Sequence, residues 1–254
     1  MKRRNKKENI QALKAWILIG VLAIIFIAIV GIMLKYQVEG EIHMPFYLSE
    51  MSVISTAEGV EQEAQEGEEW WSNLAIHQNN DIYLKIKKDE EYSKGQLIQK
   101  VAIENLTVTA EPQKGNIQAY MPNSSEGRNF VYDEQYQFTD RLTFQASSKT
   151  EQKNLEIGNQ GGVLTFRISN LNIGTYQAKE EGDLTHNGTI LKKIETKTEE
   201  VKFKVSFNLA IYMKNKVYRT KMDLELPTGD IAEEGITHIE KTDLSDLVYK
   251  RYRK

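Results

Sequence analysis

The chain of 254 residues contains no cysteine. A disulfide framework, a thiolate nucleophile and a cysteine-built zinc site are therefore excluded. So is a lipoprotein anchor, whose chemistry needs a cysteine. An exported domain of this composition depends on core burial alone, and it points to a bacterial envelope whose exported proteins do without disulfides. Proline is scarce, at 4 residues, which argues against a Pro-rich wall-spanning stalk. The histidines His43, His77, His186 and His238 stand apart, with no partner at metal-ligand spacing. Neither H-E-x-x-H nor G-x-S-x-G occurs. Beyond residue 34 no stretch sustains a 3.6-residue apolar period, and only Asp243–Tyr249 reads as a short helical turn. The expectation is a protein with no enzymatic activity, no cofactor and no metal. The abundance of carboxylates keeps a cell-wall polymer hydrolase as an alternative, because paired acids cleave glycosidic bonds.

What the chain does have is one long apolar run, Ala15–Leu34, free of charge and proline. As a helix it spans roughly 30 Å, the thickness of a bilayer's hydrocarbon core. Lys2, Arg3, Arg4, Lys6, Lys7 and Lys14 precede it, against the single acid Glu8. Basic flanks stay on the cytoplasmic side. The expected layout is a cytoplasmic tail over 1–14, a transmembrane signal-anchor over 15–34 and an extracytoplasmic domain over 35–254. A cleaved signal fits less well, because the run ends Gly31-Ile32-Met33-Leu34-Lys35-Tyr36 without a small-x-small site. The lipid bilayer is the first expected partner. The whole chain carries −3 and the first 34 residues carry +5, which leaves −8 for the exported part. That charge argues against nucleic acid and against simple docking on anionic wall polymers.

The remainder reads as strands. Val38–Ser55 alternates with period two and then shifts parity, as one bulged strand or two joined by a kink. Ala57–Glu69 is expected to be a solvated acidic loop, and it lacks the Asp/Asn spacing of a calcium loop. Trp70 and Trp71 close it. On a strand they face opposite ways, so one fills a core and the other is a possible partner-binding contact. Further candidates are Asp81–Lys87, Gln96–Thr109, Ile117–Tyr120, Phe130–Tyr136, Phe138–Gln145, Leu155–Ile157 and Val163–Ser169. Gly158-Asn159-Gln160-Gly161-Gly162 is expected to turn between strands, because no Lys-Ser/Thr completes a phosphate loop. Asn187-Gly188 signals a hairpin leading into Thr189–Ile194.

The clearest pattern is Val201–Met213, where Val201, Phe203, Val205, Phe207, Leu209, Ile211 and Met213 share one parity. After Lys214-Asn215-Lys216, Tyr218, Thr220, Met222, Leu224 and Leu226 alternate in the same way. The burial gain of this hairpin is of the size of its ordering cost, so its apolar face needs a second sheet. The expected fold is all-β: an N-terminal transmembrane helix and an antiparallel β-sandwich of roughly ten to twelve strands, one large sandwich or two small ones. Leu226-Pro227-Thr228-Gly229 lacks one residue of a sortase pentapeptide and reads as a strand end. The basic end Lys250–Lys254 reads as a solvated terminus.

This layout of basic tail, signal-anchor and β domain resembles small single-pass envelope proteins of Gram-positive bacteria. The resemblance implies a membrane-anchored binding or scaffold protein at the outer face of the cell membrane. Its partner would be another membrane or cell-wall protein, met through edge strands or Trp70 and Trp71. An accessory subunit of a division, secretion or transfer machine is the alternative within the same layout.

Overall fold

Period-two alternation in the sequence becomes two sheets. A computed structural model describes residues 2–62, 72–123, 129–149, 151–178 and 190–253. Strands are numbered in chain order. One sheet has seven strands in the order β1 (Gln37–Glu39), β13 (Tyr249–Arg253), β11 (Lys216–Leu226), β10 (Phe203–Tyr212), β4 (Lys100–Ala110), β7 (Arg141–Ser147) and β8 (Glu156–Gly158). The other has six: β12 (Ile236–Lys241), β2 (Phe46–Glu61), β3 (Ser72–Lys88), β9 (Gly162–Ala178), β5 (Asn116–Tyr120) and β6 (Gln137–Phe138). Neighbours are antiparallel except β7 and β8, which run parallel, a departure from the all-antiparallel expectation.

Both sheets contribute to one large core. Phe46, Leu48, Val53, Ile82, Leu84 and Phe166 come from the six-stranded sheet. Val101, Ile103, Phe144 and the Phe203, Val205, Phe207, Leu209, Ile211 series come from the seven-stranded one. Phe166 and Phe207 meet edge to face across the gap, with ring centroids 5.6 Å apart. The long hairpin therefore finds the second apolar face that its sequence demanded.

Helix α1 (Lys2–Tyr36) precedes the sheets. Its segment Leu13–Leu34, of 22 residues, is long and apolar enough to cross a membrane, and none of it is buried against the rest of the chain. β1 starts at the next residue after the helix, and it pairs with β13 at the other end of the sequence. β13 in turn pairs with β11, so Gln37, Tyr252 and Val217 lie side by side. This fixes a near end of the domain, beside the helix, and a far end.

Several expectations are corrected. Val38–Ser55 is two strands, as the second alternative had it, but not joined by a kink: the chain leaves β1 through Gly40 (φ 66°) and enters β2 in the other sheet, and the parity shift is a bulge between Leu48 and Glu50 within β2. The acidic loop does not begin at Ala57. Ala57–Glu61 continue β2 opposite Leu74–Gln78, because inward Ala57 is buried while Glu58 points outward. Residues 63–69, Trp70 and Trp71 lie outside the described residues. Phe130–Tyr136 is no strand; Asp133 caps a 3-10 turn over Glu134–Tyr136 by accepting from the Gln135 N–H. Of the expected strand Thr189–Ile194, Thr189 lies outside the described residues and Ile190–Lys193 forms helix α2 instead, which buries Ile190 and Leu191. The Asn187-Gly188 hairpin signal falls outside the described residues. Asp243–Tyr249 holds a turn rather than a helix.

Candidate functional site

Three polar constellations stand out. The first lies inside the molecule. On β3 the inward positions change from Ile82 to Asn80 and Gln78, and then back to Ile76. On β2 Ser55 sits between inward Val53 and Ala57 at the same level. Asn80 accepts from Ser55 Oγ at 2.8 Å and donates to the Ile168 carbonyl at 3.0 Å. Gln78 Nε2 reaches Asn80 Oδ1 at 2.8 Å, and the Thr228 N–H donates to Ser55 Oγ at 3.0 Å. This polar layer parts the large core from a smaller one made of Leu74, Ile76, Ile173, Ile190, Leu191 and Val201. Gln78 and Asn80 are fully buried, so every bond they make counts.

The second lies on the outer face of the same sheet, under the segment that carries Tyr132. The Tyr132 hydroxyl donates to Glu58 and accepts from Asn79 Nδ2 at 2.7 Å. Asn79 Oδ1 accepts from Ser169 Oγ at 2.6 Å. Arg167 grips Asp81 with two bonds, of 2.6 and 3.0 Å, while its guanidinium lies 4.7 Å from the Phe130 ring centre. Burial first, and then the Glu58 charge, push the Tyr132 hydroxyl far above the usual tyrosine range. His77 packs edge-on against the same ring. Burial lowers its pKa despite Glu58, and its Nδ1 accepts the Asn172 N–H at 3.0 Å. The cluster is a clasp that fixes the 130–136 segment to the sheet.

The third lies on the outer face of the seven-stranded sheet. Glu104, 8% exposed, takes Arg219 Nε at 2.9 Å, Arg141 Nη2 at 3.0 Å and the Tyr212 hydroxyl. Burial alone would raise this carboxyl, but Tyr212, Arg219 and Arg141 together hold it below the ordinary glutamate value. Arg219 also lies 4.9 Å from the Tyr252 ring centre, and Lys100 Nζ lies 4.4 Å from that of Tyr212. Three cations around one acid leave this face positive.

Beside this face, at the near end, is an open groove of about 770 Å³. Lys214 and Lys216 of the β10–β11 hairpin line it together with Gln96, Gln99, Ser148 and Asn159. No Asp or Glu lines it. Asn159 of its lining belongs to the turn before β9, where Gly161 (φ 112°) has no room for a side chain: a Cβ would stand 2.5 Å from the Ile86 carbonyl oxygen. The glycine-rich segment is thus a strand connection, as its sequence suggests.

The remaining residues singled out in the sequence do not converge. His43 stacks on Tyr92, and His238 bonds Ser52 Oγ at 2.8 Å. His186 is outside the described residues, among which no group of three His, Asp or Glu could hold a metal ion. Trp70 and Trp71 cannot be placed with any of these groups; the strands that flank them end at Glu61 and begin at Ser72, at the far end. The sequence reading missed both outer-face clusters. Their only signal was charge and aromatic residues at outward strand positions, such as Glu104, Tyr212 and Arg219. Compared with known protein families, curated proteins and solved structures, the chain matches none.

Proposed function

We propose that this chain is a non-enzymatic, membrane-anchored binding or scaffold protein, with the β domain as a sandwich held outside the membrane by α1. The observation that carries the reading is the joint between helix and domain. Leu13–Leu34 exposes its apolar side chains along its length, with Trp16 71%, Ile24 69% and Phe26 68% exposed. Apolar surface on that scale demands lipid or another helix as cover. The domain begins at the first residue after the helix, so a covered helix holds the near end of the domain close to the bilayer surface.

Binding by strand addition suits the edge strand β12, the longest edge of either sheet among the described residues, which is hydrogen-bonded on one side only. Ile236 and Ile239 project from it, 57% and 45% exposed. An added strand would satisfy its free backbone groups and cover both side chains. The test is in two steps on cells expressing the full chain. Protease added to intact cells should remove the β domain, and alkaline carbonate should fail to extract the remaining anchor. In-cell crosslinking from Ile239 should then trap a specific membrane or cell-wall protein. A protected domain overturns the orientation, and an extractable chain overturns the anchor. Exchanging α1 for an unrelated transmembrane helix is expected to leave the crosslink in place; its loss would favour the machine-subunit reading, with the helix itself as the interface.

A further inference from the structure

The near-end groove points to a ligand. The geometry points to a binding site for the phosphate headgroup of an anionic phospholipid in the leaflet beneath the domain; this rests on the membrane-anchored reading. Three observations meet here. The groove has the volume of a small-molecule site, about 770 Å³. Its charged lining is of one sign: Lys214 and Lys216, which make no ion pair among the described residues, share it with the neutral polar residues Gln99, Ser148 and Asn159 and with Gln96, whose amide donates to the Tyr92 carbonyl at 3.2 Å. Unneutralised ammonium groups beside amide and hydroxyl donors suit a phosphate with hydroxylated substituents.

The third observation is position. Lys216 pairs with Arg253, and Val217 stands in line with Tyr252 and Gln37. Two strand spacings separate the hairpin from Gln37, roughly 10 Å. Gln37 is three residues from Leu34, the last apolar residue of the helix, again at most about 10 Å. That puts the hairpin side of the groove within about 20 Å of the hydrocarbon edge, within reach of lipid headgroups. Leu97, 47% exposed, stands at its lip, where it would meet the acyl boundary. The exported part is acidic overall, so a local basic groove at this end is not a consequence of bulk charge.

The test uses the full chain, delipidated in a neutral detergent, supplied with equal amounts of phosphatidylglycerol and phosphatidylcholine and weighed intact by native mass spectrometry. The wild type should retain phosphatidylglycerol preferentially. The double variant Lys214→Gln, Lys216→Gln should lower that preference by roughly tenfold. A control of equal charge change at the far end, Lys192→Gln with Lys202→Gln, should leave it unchanged. An equal preference in both double variants overturns the groove as the site. Capture of added glycerol phosphate by a wild type that shows no preference for phosphatidylglycerol overturns the lipid as the source, in favour of a soluble phosphate ester. A separate arm keeps the two readings apart. If the full chain washes off phosphatidylcholine vesicles in carbonate, the membrane reading fails. If it stays bound and the groove variant keeps its lipid preference, only the groove proposal fails.

Discussion

A single imidazole shows how burial becomes a pH response. His77 accepts the Asn172 N–H on Nδ1, which requires an unprotonated nitrogen, and burial lowers its pKa in the fold. The unfolded chain binds a proton near pH 6.5 and the folded one only at lower pH. Below about pH 6.5 the unfolded state therefore holds more protons, and stability falls as pH drops from that value toward the folded pKa. Melting temperature measured between about pH 7.5 and 5.5 should decline, and His77→Gln, whose amide oxygen can take the same N–H, should flatten the slope. An unchanged slope would remove His77 as the cause. Glu104 makes the opposite kind of case. Its carboxylate is favoured in the fold, so its contribution is present above the ordinary glutamate pKa and is lost as pH falls below it. Glu104→Leu leaves Arg141 and Arg219 facing each other without an anion. Because both arginines are partly exposed, a cost of about 1–3 kcal/mol is expected rather than the larger penalty of a fully buried pair. Urea unfolding in detergent measures it, and a loss below about 0.5 kcal/mol would mean that water replaces the anion freely.

At the scale of elements, the polar layer of Ser55, Gln78 and Asn80 sets the register of β2, β3 and β9. A slip by one residue would turn these groups outward and strand them away from their partners. Asn80→Leu leaves Ser55 Oγ and Gln78 Nε2 without their shared acceptor, and should cost about 2–4 kcal/mol. The triple change Ser55→Ala, Gln78→Leu, Asn80→Leu removes the whole set and should recover most of that loss, since a missing network is cheaper than a half-satisfied one. Costs that simply add would show that the layer is not one unit.

The same layer explains where the sequence misleads. Strand β3 reads clearly from Asp81 onward, where Ile82, Leu84 and Ile86 alternate, but His77-Gln78-Asn79-Asn80 carries no apolar signal although it is the middle of the strand. Inward polar residues are paired by tertiary contacts, and no local pattern announces them. The hairpin of β10 and β11 is legible almost to the residue, because its pattern follows its own burial. Even there the outward positions hid something: Ala210 and Tyr212 are buried on the far face beneath Arg219 and Tyr252. Ile190–Lys193 reads as strand because the Asn187-Gly188 hairpin signal precedes it, and folds as helix, since a short-range turn signal is a weak guide beside the small core that Ile190 and Leu191 fill.

At the scale of the whole molecule, the joint between helix and sheet decides what the near-end groove can reach. The chain has no cysteine, so a dye can be placed at one chosen residue without background labelling. Asn215→Cys puts it at the tip of the β10–β11 hairpin, beside the groove. Glu199→Cys puts it on the short helix that precedes β10, at the opposite end of that strand. Strand β10 has 10 residues, so the two positions are separated by roughly 35 Å along the sheet. In vesicles whose lipids carry a nitroxide on the headgroup, the dye at 215 should be quenched and the dye at 199 should not. A ten-residue Gly/Ser insertion between Tyr36 and Gln37 gives the domain a tether of about 17 Å root-mean-square length. It leaves the β1–β13 pairing intact, so the melting temperature should hold, while quenching at 215 should fall because the domain is no longer held at headgroup depth. Equal quenching at both positions in the uninserted chain would mean that the domain lies on its side or stands clear of the surface, and the groove would then have no privileged access to lipid. Strong quenching at 215 that survives the insertion would mean that the groove holds the membrane by its own lysines, with the covalent joint no longer needed to place it.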